Sequence, residues 1–143
     1  MKGIVVLGST GSVGTQTLDV VRSFPDEFKI VGLAAGRNLN LLDKQVREFR
    51  PKLVYYDRSD RQNDIILPTG SRICEMYEMV QDSDVDLVVT ATVGDVALLP
   101  TIVAIKSGKN IALANKESIV VAGSLLTNMA LEYGVDLLPL DSE

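Results

Sequence analysis

The sequence predicts an α/β fold, in which a doubly wound, mainly parallel sheet has helices on both faces. Short apolar runs alternate along the chain with segments of helical periodicity, a pattern typical of repeated strand–helix units. Only 5% of the residues are aromatic, and the apolar runs consist mainly of Val, Ile, Leu and Ala. Such residues are typical of strands that a parallel sheet buries on both faces. At 143 residues, the chain fits one domain.

A glycine-rich turn follows the first predicted strand, at residues 4–7. Gly8, Gly11 and Gly14 are spaced three apart, and residues 12–23 then have a helical pattern. A strand, a glycine turn and a helix in this order are typical of a dinucleotide site in a Rossmann-like fold. The first glycine permits a tight turn, the second lets the backbone approach a pyrophosphate, and the third allows close packing of helix and strand. The spacing is G-x-x-G-x-x-G rather than the commoner G-x-G-x-x-G, so a turn that only joins strand to helix is the alternative.

Polar groups beside this turn favour a phosphate ligand. The free N–H groups and the dipole of the helix that starts at Ser12 and Val13 attract anions. Hydroxyls of Ser9, Thr10 and Ser12 suit a phosphate site, and they suit helix caps equally well.

The remaining elements follow from periodicity and from Pro and Gly stops. Phe24-Pro25 and Pro51 end the first two helices, and Gly108 and Gly134 close later ones. Pro100 is tolerated if it lies in the first turn of its helix. Strands are predicted at 28–35, 52–57, 86–91, 110–114 and 136–140, helices at 41–49, 76–80, 96–107 and 120–132, and a short helix with a loop at 57–71.

The end of the second predicted strand indicates which dinucleotide binds. NAD-binding folds place an acidic residue there to hold the ribose 2′-hydroxyl. Here no acid lies between Phe28 and Leu42, and the turn is Gly36-Arg37-Asn38. Because a guanidinium can bind a 2′-phosphate through two hydrogen bonds, Arg37 favours NADPH over NADH. An ordinary solvated loop arginine is the alternative.

Two further strand ends bear polar or small residues. The run from Thr92 to Asp95 follows a central strand. A nicotinamide nucleotide crosses the sheet at such a strand end. The alternative is a turn of small residues that serves only packing. Asn115-Lys116-Glu117-Ser118 follows the next strand. Lys116 could hold a phosphate or a substrate oxygen, with Glu117 orienting it. The alternative is a helix start with a solvated ion pair.

The last residues pair two carboxylates with a hydroxyl. Asp141 and Glu143 are two residues apart on an extended segment and so point to the same side. With Ser142 beside them, they could hold a hard divalent cation such as Mg²⁺ or Mn²⁺. Taken alone, a polar chain end is the better interpretation, but a strand leading into two acids favours a site that continues further.

Composition argues against several kinds of partner and site. A net charge of −5 without a Lys/Arg block argues against nucleic acid as a partner, and no apolar run is long enough for a membrane span. The absence of histidine removes Ser-His-Asp triads and the usual zinc sites. A lone cysteine, Cys74, predicted as a buried hydrophobe, and a first strand directly after Met1-Lys2 favour a reducing cytoplasm without a signal peptide.

Four motifs together resemble the 1-deoxy-D-xylulose 5-phosphate reductoisomerase family. They are the glycine turn at 8–14, Ala35-Gly36-Arg37-Asn38, Leu113-Ala114-Asn115-Lys116-Glu117-Ser118, and Leu138-Pro139-Leu140-Asp141-Ser142-Glu143. They occur in order over the whole chain, and the separation of the last two makes the resemblance specific.

The resemblance implies an NADPH-dependent enzyme of non-mevalonate isoprenoid biosynthesis. It would convert 1-deoxy-D-xylulose 5-phosphate to 2-C-methyl-D-erythritol 4-phosphate with Mg²⁺, Mn²⁺ or Co²⁺, as a homodimer inhibited by fosmidomycin. The implied NADPH contacts are Gly8, Thr10, Gly11, Ser12, Val13, Gly36, Arg37, Asn38, Asn115 and Glu117. The implied catalytic and substrate residue is Lys116, the implied substrate residues are Ser142 and Glu143, and the implied metal ligands are Asp141 and Glu143.

The length departs from the family pattern. Chains of this family continue into a catalytic domain that supplies a third carboxylate and a histidine, and then into a helical domain. Residues 1–143 are therefore expected to be the NADPH-binding domain, ending inside the metal motif and inactive alone. Two alternatives are a semialdehyde dehydrogenase-like cofactor domain, which needs a nucleophilic cysteine, and a non-catalytic NADPH-binding module.

Overall fold

A computed structural model describes residues 1–59, 64–92, 94–114 and 116–140, without the side chains of 94–95 and 116–122. It consists of alternating strands and helices. The strands are β1 (Lys2–Leu7), β2 (Phe28–Ala34), β3 (Leu53–Tyr55), β4 (Arg72–Ile73), β5 (Leu87–Thr90), β6 (Asn110–Leu113) and β7 (Leu137–Pro139). The helices are α1 (Ser12–Ser23), α2 (Leu39–Phe49), α3 (Met76–Met79), α4 (Leu98–Lys106) and α5 (Lys116–Tyr133).

The described strands form one parallel sheet in the order β4-β3-β2-β1-β5-β6-β7. The chain winds outward from β1 in one direction through β2 and β3, and then in the other direction through β5, β6 and β7. The strand order therefore reverses between β1 and β5, which is where open parallel sheets bind ligands at the carboxyl ends of their strands. The predicted fold class is confirmed.

The two faces of the sheet bury separate apolar clusters. In β1, Ile4 and Val6 face a cluster that includes Leu18 of α1 and Leu42 of α2. The alternate residues Val5 and Leu7 face a second cluster with Met79, Ala104, Ile105 and Leu126, which come from α3, α4 and α5. A central strand buried on both faces explains why β1 is continuously apolar. Within the described part of the chain, no helix is long and apolar enough to cross a bilayer.

Several boundaries differ from the prediction. The helix predicted at 120–132 begins at Lys116, so the Lys-Glu pair belongs to its first turn. A 3-10 turn over Gly94–Ala97 precedes α4, and Pro100 lies in the first turn of α4, as expected. The two-residue strand β4 was not predicted, and residues 64–71 before it contain no helix.

Candidate functional site

The glycine turn lies at the carboxyl end of β1, where the strand order reverses. Gly8 has a φ of +93°, which strongly favours glycine. A Cβ added there would lie 2.7 Å from the backbone carbon of Ala91. The Gly8 amide donates to the Ala34 carbonyl at 2.8 Å, which ties the turn to the end of β2. The tight turn predicted for Gly8 is therefore present.

Helix α1 begins directly after this turn with an open amide end. Gly11 is its N-cap, and no described side chain caps that end. The amides of Ser12 and Val13 lie in the first turn, where a helix provides no carbonyl partner. The hydroxyls of Ser9, Thr10 and Ser12, which sequence allowed as caps, do not fill that role. An uncapped helix start next to a glycine turn suits an anion.

Gly14 holds α1 against the turn. A Cβ at Gly14 would lie 2.0 Å from the Gly8 carbonyl oxygen and 2.7 Å from the Ser9 Cα. Because both contacts are with backbone, no side-chain movement could relieve them. At Gly11, by contrast, the nearest atom would be the Gly8 oxygen at 3.7 Å, an ordinary contact. Gly14 thus serves packing, whereas Gly11 leaves space beside the turn.

A buried glutamine supports the same turn from α2. The Gln45 side chain is 5% exposed, and its Nε2 donates to the Ser9 carbonyl at 2.9 Å. Gln45 Oε1 and Ser9 Oγ are buried without a hydrogen-bond partner among the described residues. Sequence analysis missed Gln45. The available signal was a polar residue directly before Val46, on the apolar side of an amphipathic helix.

A cavity of about 520 Å³ opens over these strand ends. Backbone and small or apolar side chains form most of its wall, as is usual for a nucleotide pocket. The lining residues are Gly8, Thr10, Gly11, Ala34, Ala35, Gly36, Arg37, Asn38, Tyr55, Asp57, Met76, Ala91, Thr92 and Val96. The cavity thus brings together six predicted cofactor residues from the turns after β1 and β2. The other two predicted there, Ser12 and Val13, lie in the adjoining first turn of α1.

Several lining residues were not predicted as cofactor contacts, and four of them lie outside the ends of β1, β2 and β5. Tyr55 ends β3, Asp57 follows it, Met76 begins α3, and Val96 lies in the turn before α4. Met76 also packs against the core cluster, so it contacts both the core and the cavity. Val96 is 58% exposed, a large apolar surface at the rim of the cavity. Since these residues come from separate elements, only the fold brings them together.

The turn after β2 carries an ion pair. Arg37 Nε lies 3.3 Å from Asp57 Oδ2, and the Arg37 side chain is 87% exposed. Asp57 Oδ1 accepts a hydrogen bond from the Ser59 amide at 3.0 Å. The hydrogen bonds from Ser59, and then the one from Arg37, hold the pKa of the Asp57 carboxyl below its usual range. Asn38 Oδ1 accepts from the Leu41 amide and so caps α2.

The remaining predicted site residues are only partly described. Lys116 and Glu117 begin α5, which follows β6 and so starts at the carboxyl edge of the sheet. Asn115, Asp141, Ser142 and Glu143 lie outside the described residues. Within the described ones, no group of three or more His, Cys, Asp or Glu side chains is arranged to hold a metal ion.

Cys74 is a core residue. Its side chain is 6% exposed and belongs to the cluster beneath α3. Burial raises the pKa of the thiol, so the reactive thiolate is disfavoured at neutral pH. This environment is the opposite of what the nucleophile of a semialdehyde dehydrogenase requires.

Comparison with known proteins agrees with the motifs. The family model described as 1-deoxy-D-xylulose 5-phosphate reductoisomerase matches residues 4–123. A relative of that name from Acaryochloris marina (strain MBIC 11017) is 46% identical over the whole chain, which spans 38% of that relative's length.

Solved structures give the same result. The 1-deoxy-D-xylulose 5-phosphate reductoisomerase of Zymomonas mobilis in complex with NADPH superposes with a TM-score of 0.87 at 32% identity, covering 99% of this chain and 39% of that one. A DOX-P reductoisomerase in complex with NADPH, fosmidomycin and magnesium superposes with a TM-score of 0.84 at 32% identity, covering 99% of this chain and 36% of that one. The chain belongs to the 1-deoxy-D-xylulose 5-phosphate reductoisomerase family.

Proposed function

We propose that residues 1–143 are the NADPH-binding domain of an enzyme that converts 1-deoxy-D-xylulose 5-phosphate to 2-C-methyl-D-erythritol 4-phosphate in isoprenoid biosynthesis. The chain spans 38% of the length of a curated relative, and the activity of the whole protein is part of this proposal. Cytoplasmic location, homodimer formation and a phosphorylated sugar as substrate belong to the same proposal.

One observation supports the cofactor assignment most strongly. The cavity lies where the strand order reverses, with Gly11 and the uncapped start of α1 on one side and Arg37 on the other. The turn after β1 suits a pyrophosphate, and the turn after β2 suits a 2′-phosphate. A related structure with this fold holds NADPH.

The residue roles follow from this placement. The backbone of Gly8, Thr10 and Gly11, with the amides of Ser12 and Val13, would bind the pyrophosphate. Gly36, Arg37 and Asn38 would bind the adenosine 2′-phosphate end. Asn115 and Glu117 would contact the same cofactor further along the edge. NADPH supplies a hydride to the substrate carbon when it is bound.

The metal and substrate residues extend the proposal beyond the cavity. Asp141 and Glu143 offer the hard oxygen ligands that Mg²⁺ or Mn²⁺ prefers, and two carboxylates leave positions for substrate oxygens. A divalent ion there would polarise the substrate carbonyl. Lys116 would hold the substrate by charge, and Ser142 would donate a hydrogen bond to it. A related structure contains magnesium and fosmidomycin together with NADPH.

A turnover assay tests whether residues 1–143 bind NADPH without catalysing the reaction. Purified residues 1–143 are incubated with NADPH, Mg²⁺ and 1-deoxy-D-xylulose 5-phosphate while NADPH absorbance is followed. We expect binding of NADPH without its consumption, and consumption when the chain is part of the longer protein. Product formation by residues 1–143 alone would contradict the proposal. Binding of NADPH without turnover in the longer protein would instead support a non-catalytic module.

A further inference from the structure

Asp57 ties the end of β3 to the turn that we assign to the 2′-phosphate. Its backbone amide donates to the Gly36 carbonyl at 3.0 Å, one residue before Arg37. The amide of Ala35, at the start of the same turn, donates to the Tyr55 carbonyl at 2.9 Å. The turn after β2 is therefore fixed by the residues that follow β3, although these lie about twenty positions later in the chain.

The two oxygens of the Asp57 carboxylate accept hydrogen bonds from different partners. Oδ1 accepts from the Ser59 amide at 3.0 Å, and this local bond restrains the carboxylate. Oδ2 then faces Arg37 and lies 3.3 Å from its Nε. The Asp57 side chain is 34% exposed, so it is far better anchored than the arginine, which is 87% exposed.

The use of Nε leaves the fork of the guanidinium for a ligand. A phosphate binds arginine best through two parallel N–H groups, and the two terminal nitrogens provide such a pair. Within the described part of the chain, Asp57 is the one carboxylate that forms an ion pair with Arg37. An arginine this exposed, if it were not held, would lose side-chain freedom on binding, which lowers affinity.

We propose that Asp57 is a positioning residue, which holds Arg37 by Nε so that its terminal nitrogens face the 2′-phosphate of NADPH. This inference rests on the proposed function. It makes an acid at the end of β3 a determinant of the choice of NADPH over NADH, whereas NAD-binding folds use an acid at the end of β2 against the 2′-phosphate.

Charge repulsion between Asp57 and the 2′-phosphate predicts the opposite effect on NADPH affinity. The direction of the change in affinity therefore distinguishes repulsion from positioning. A carboxylate near a phosphate weakens its binding, and removal of Asp57 would then strengthen NADPH affinity. At an exposed site this repulsion is reduced by solvent and salt. Loss of an ordered arginine side chain weakens affinity by about three- to tenfold. We therefore expect positioning to dominate.

The test compares Asp57→Asn and Asp57→Ala with the unchanged protein, by titration of NADPH and NADH. Asn matches the size of Asp, but one of its two terminal atoms is an NH₂ group, which donates, so it cannot present an acceptor to Ser59 and another to Arg37. Both variants should bind NADPH about three- to tenfold more weakly, with NADH affinity unchanged. In an Arg37→Ala background, Asp57→Asn should have no further effect, because the residue it positions is gone.

Each other outcome overturns the inference. Tighter NADPH binding by both variants would show that Asp57 acts by repulsion. Equal losses for NADPH and NADH would show a merely structural role, and circular dichroism of each variant identifies loss of the fold. If the unchanged protein binds NADPH in an Arg37-dependent way but the Asp57 variants match it, only this inference fails. If the unchanged protein binds no NADPH, the proposed function fails as well.

Discussion

Replacement of Gly14 by alanine is expected to destabilise the protein by about 3 kcal/mol or more and to abolish NADPH binding. The added Cβ would lie 2.0 Å from the Gly8 carbonyl oxygen, so α1 must move away from β1. That movement opens the packing of Leu18 and Val21 against the sheet and displaces the phosphate-binding turn. Urea denaturation followed by circular dichroism measures the first effect, and titration with NADPH measures the second.

Gly3→Ala is a matched control for Gly14→Ala. Its Cβ would lie 1.9 Å from the Asp84 carbonyl oxygen, a clash of the same severity at the opposite end of β1. Gly3→Ala should therefore cost about as much stability, while any protein that folds should keep its NADPH affinity. An unchanged unfolding midpoint for Gly14→Ala would contradict the packing assigned to Gly14.

Replacement of Gly11 by alanine should leave the fold intact and reduce NADPH affinity at least about tenfold. Gly11 has a φ of −82°, which alanine adopts without strain, and the new Cβ would meet only the Gly8 oxygen at 3.7 Å. The loss of stability should not exceed about 1 kcal/mol, the usual difference between glycine and alanine at an N-cap. The methyl group would instead occupy space in the cavity that the pyrophosphate needs.

Comparison of Gly11→Ala with Gly14→Ala separates the close approach of the pyrophosphate to the turn from the packing of α1 against it. Both should lose NADPH, but only Gly14→Ala should lower the unfolding midpoint strongly. Normal NADPH affinity in folded Gly11→Ala would contradict the assignment of the pyrophosphate to this side of the cavity.

The sequence was sufficient to predict most of the fold because the signals are local. The glycine turn, the start of α1 at Ser12 and its end at Ser23 all follow from neighbouring residues. Strand β4 could not be predicted, because Arg72 and Ile73 form a short edge strand in a polar segment, without the apolar alternation that marks a strand. The start of α5 was placed four residues late because its apolar pattern begins after the polar Lys-Glu-Ser turn.

The site was predictable only where a single loop forms it. Gly8, Gly11 and Arg37 follow from the two turns that contain them. Gln45 reaches Ser9 across 36 positions, and Asp57 reaches Arg37 across 20. Such partners leave no local motif, since it is the parallel pairing of β1, β2 and β3 that brings their carboxyl ends together. Its charge and size alone do not distinguish Asp57 from any other acidic residue near the end of a strand.

The most direct test of the proposed 2′-phosphate site is a calorimetric titration of residues 1–143 with NADPH and with NADH, repeated on Arg37→Ala. We expect clear preference for NADPH, and a rise of about 10- to 100-fold in the Kd for NADPH in Arg37→Ala, because a charge-assisted pair of hydrogen bonds to the 2′-phosphate is lost. The Kd for NADH should not change. Equal binding of both cofactors by the unchanged chain, or an Arg37→Ala variant with normal NADPH affinity, would contradict the 2′-phosphate site.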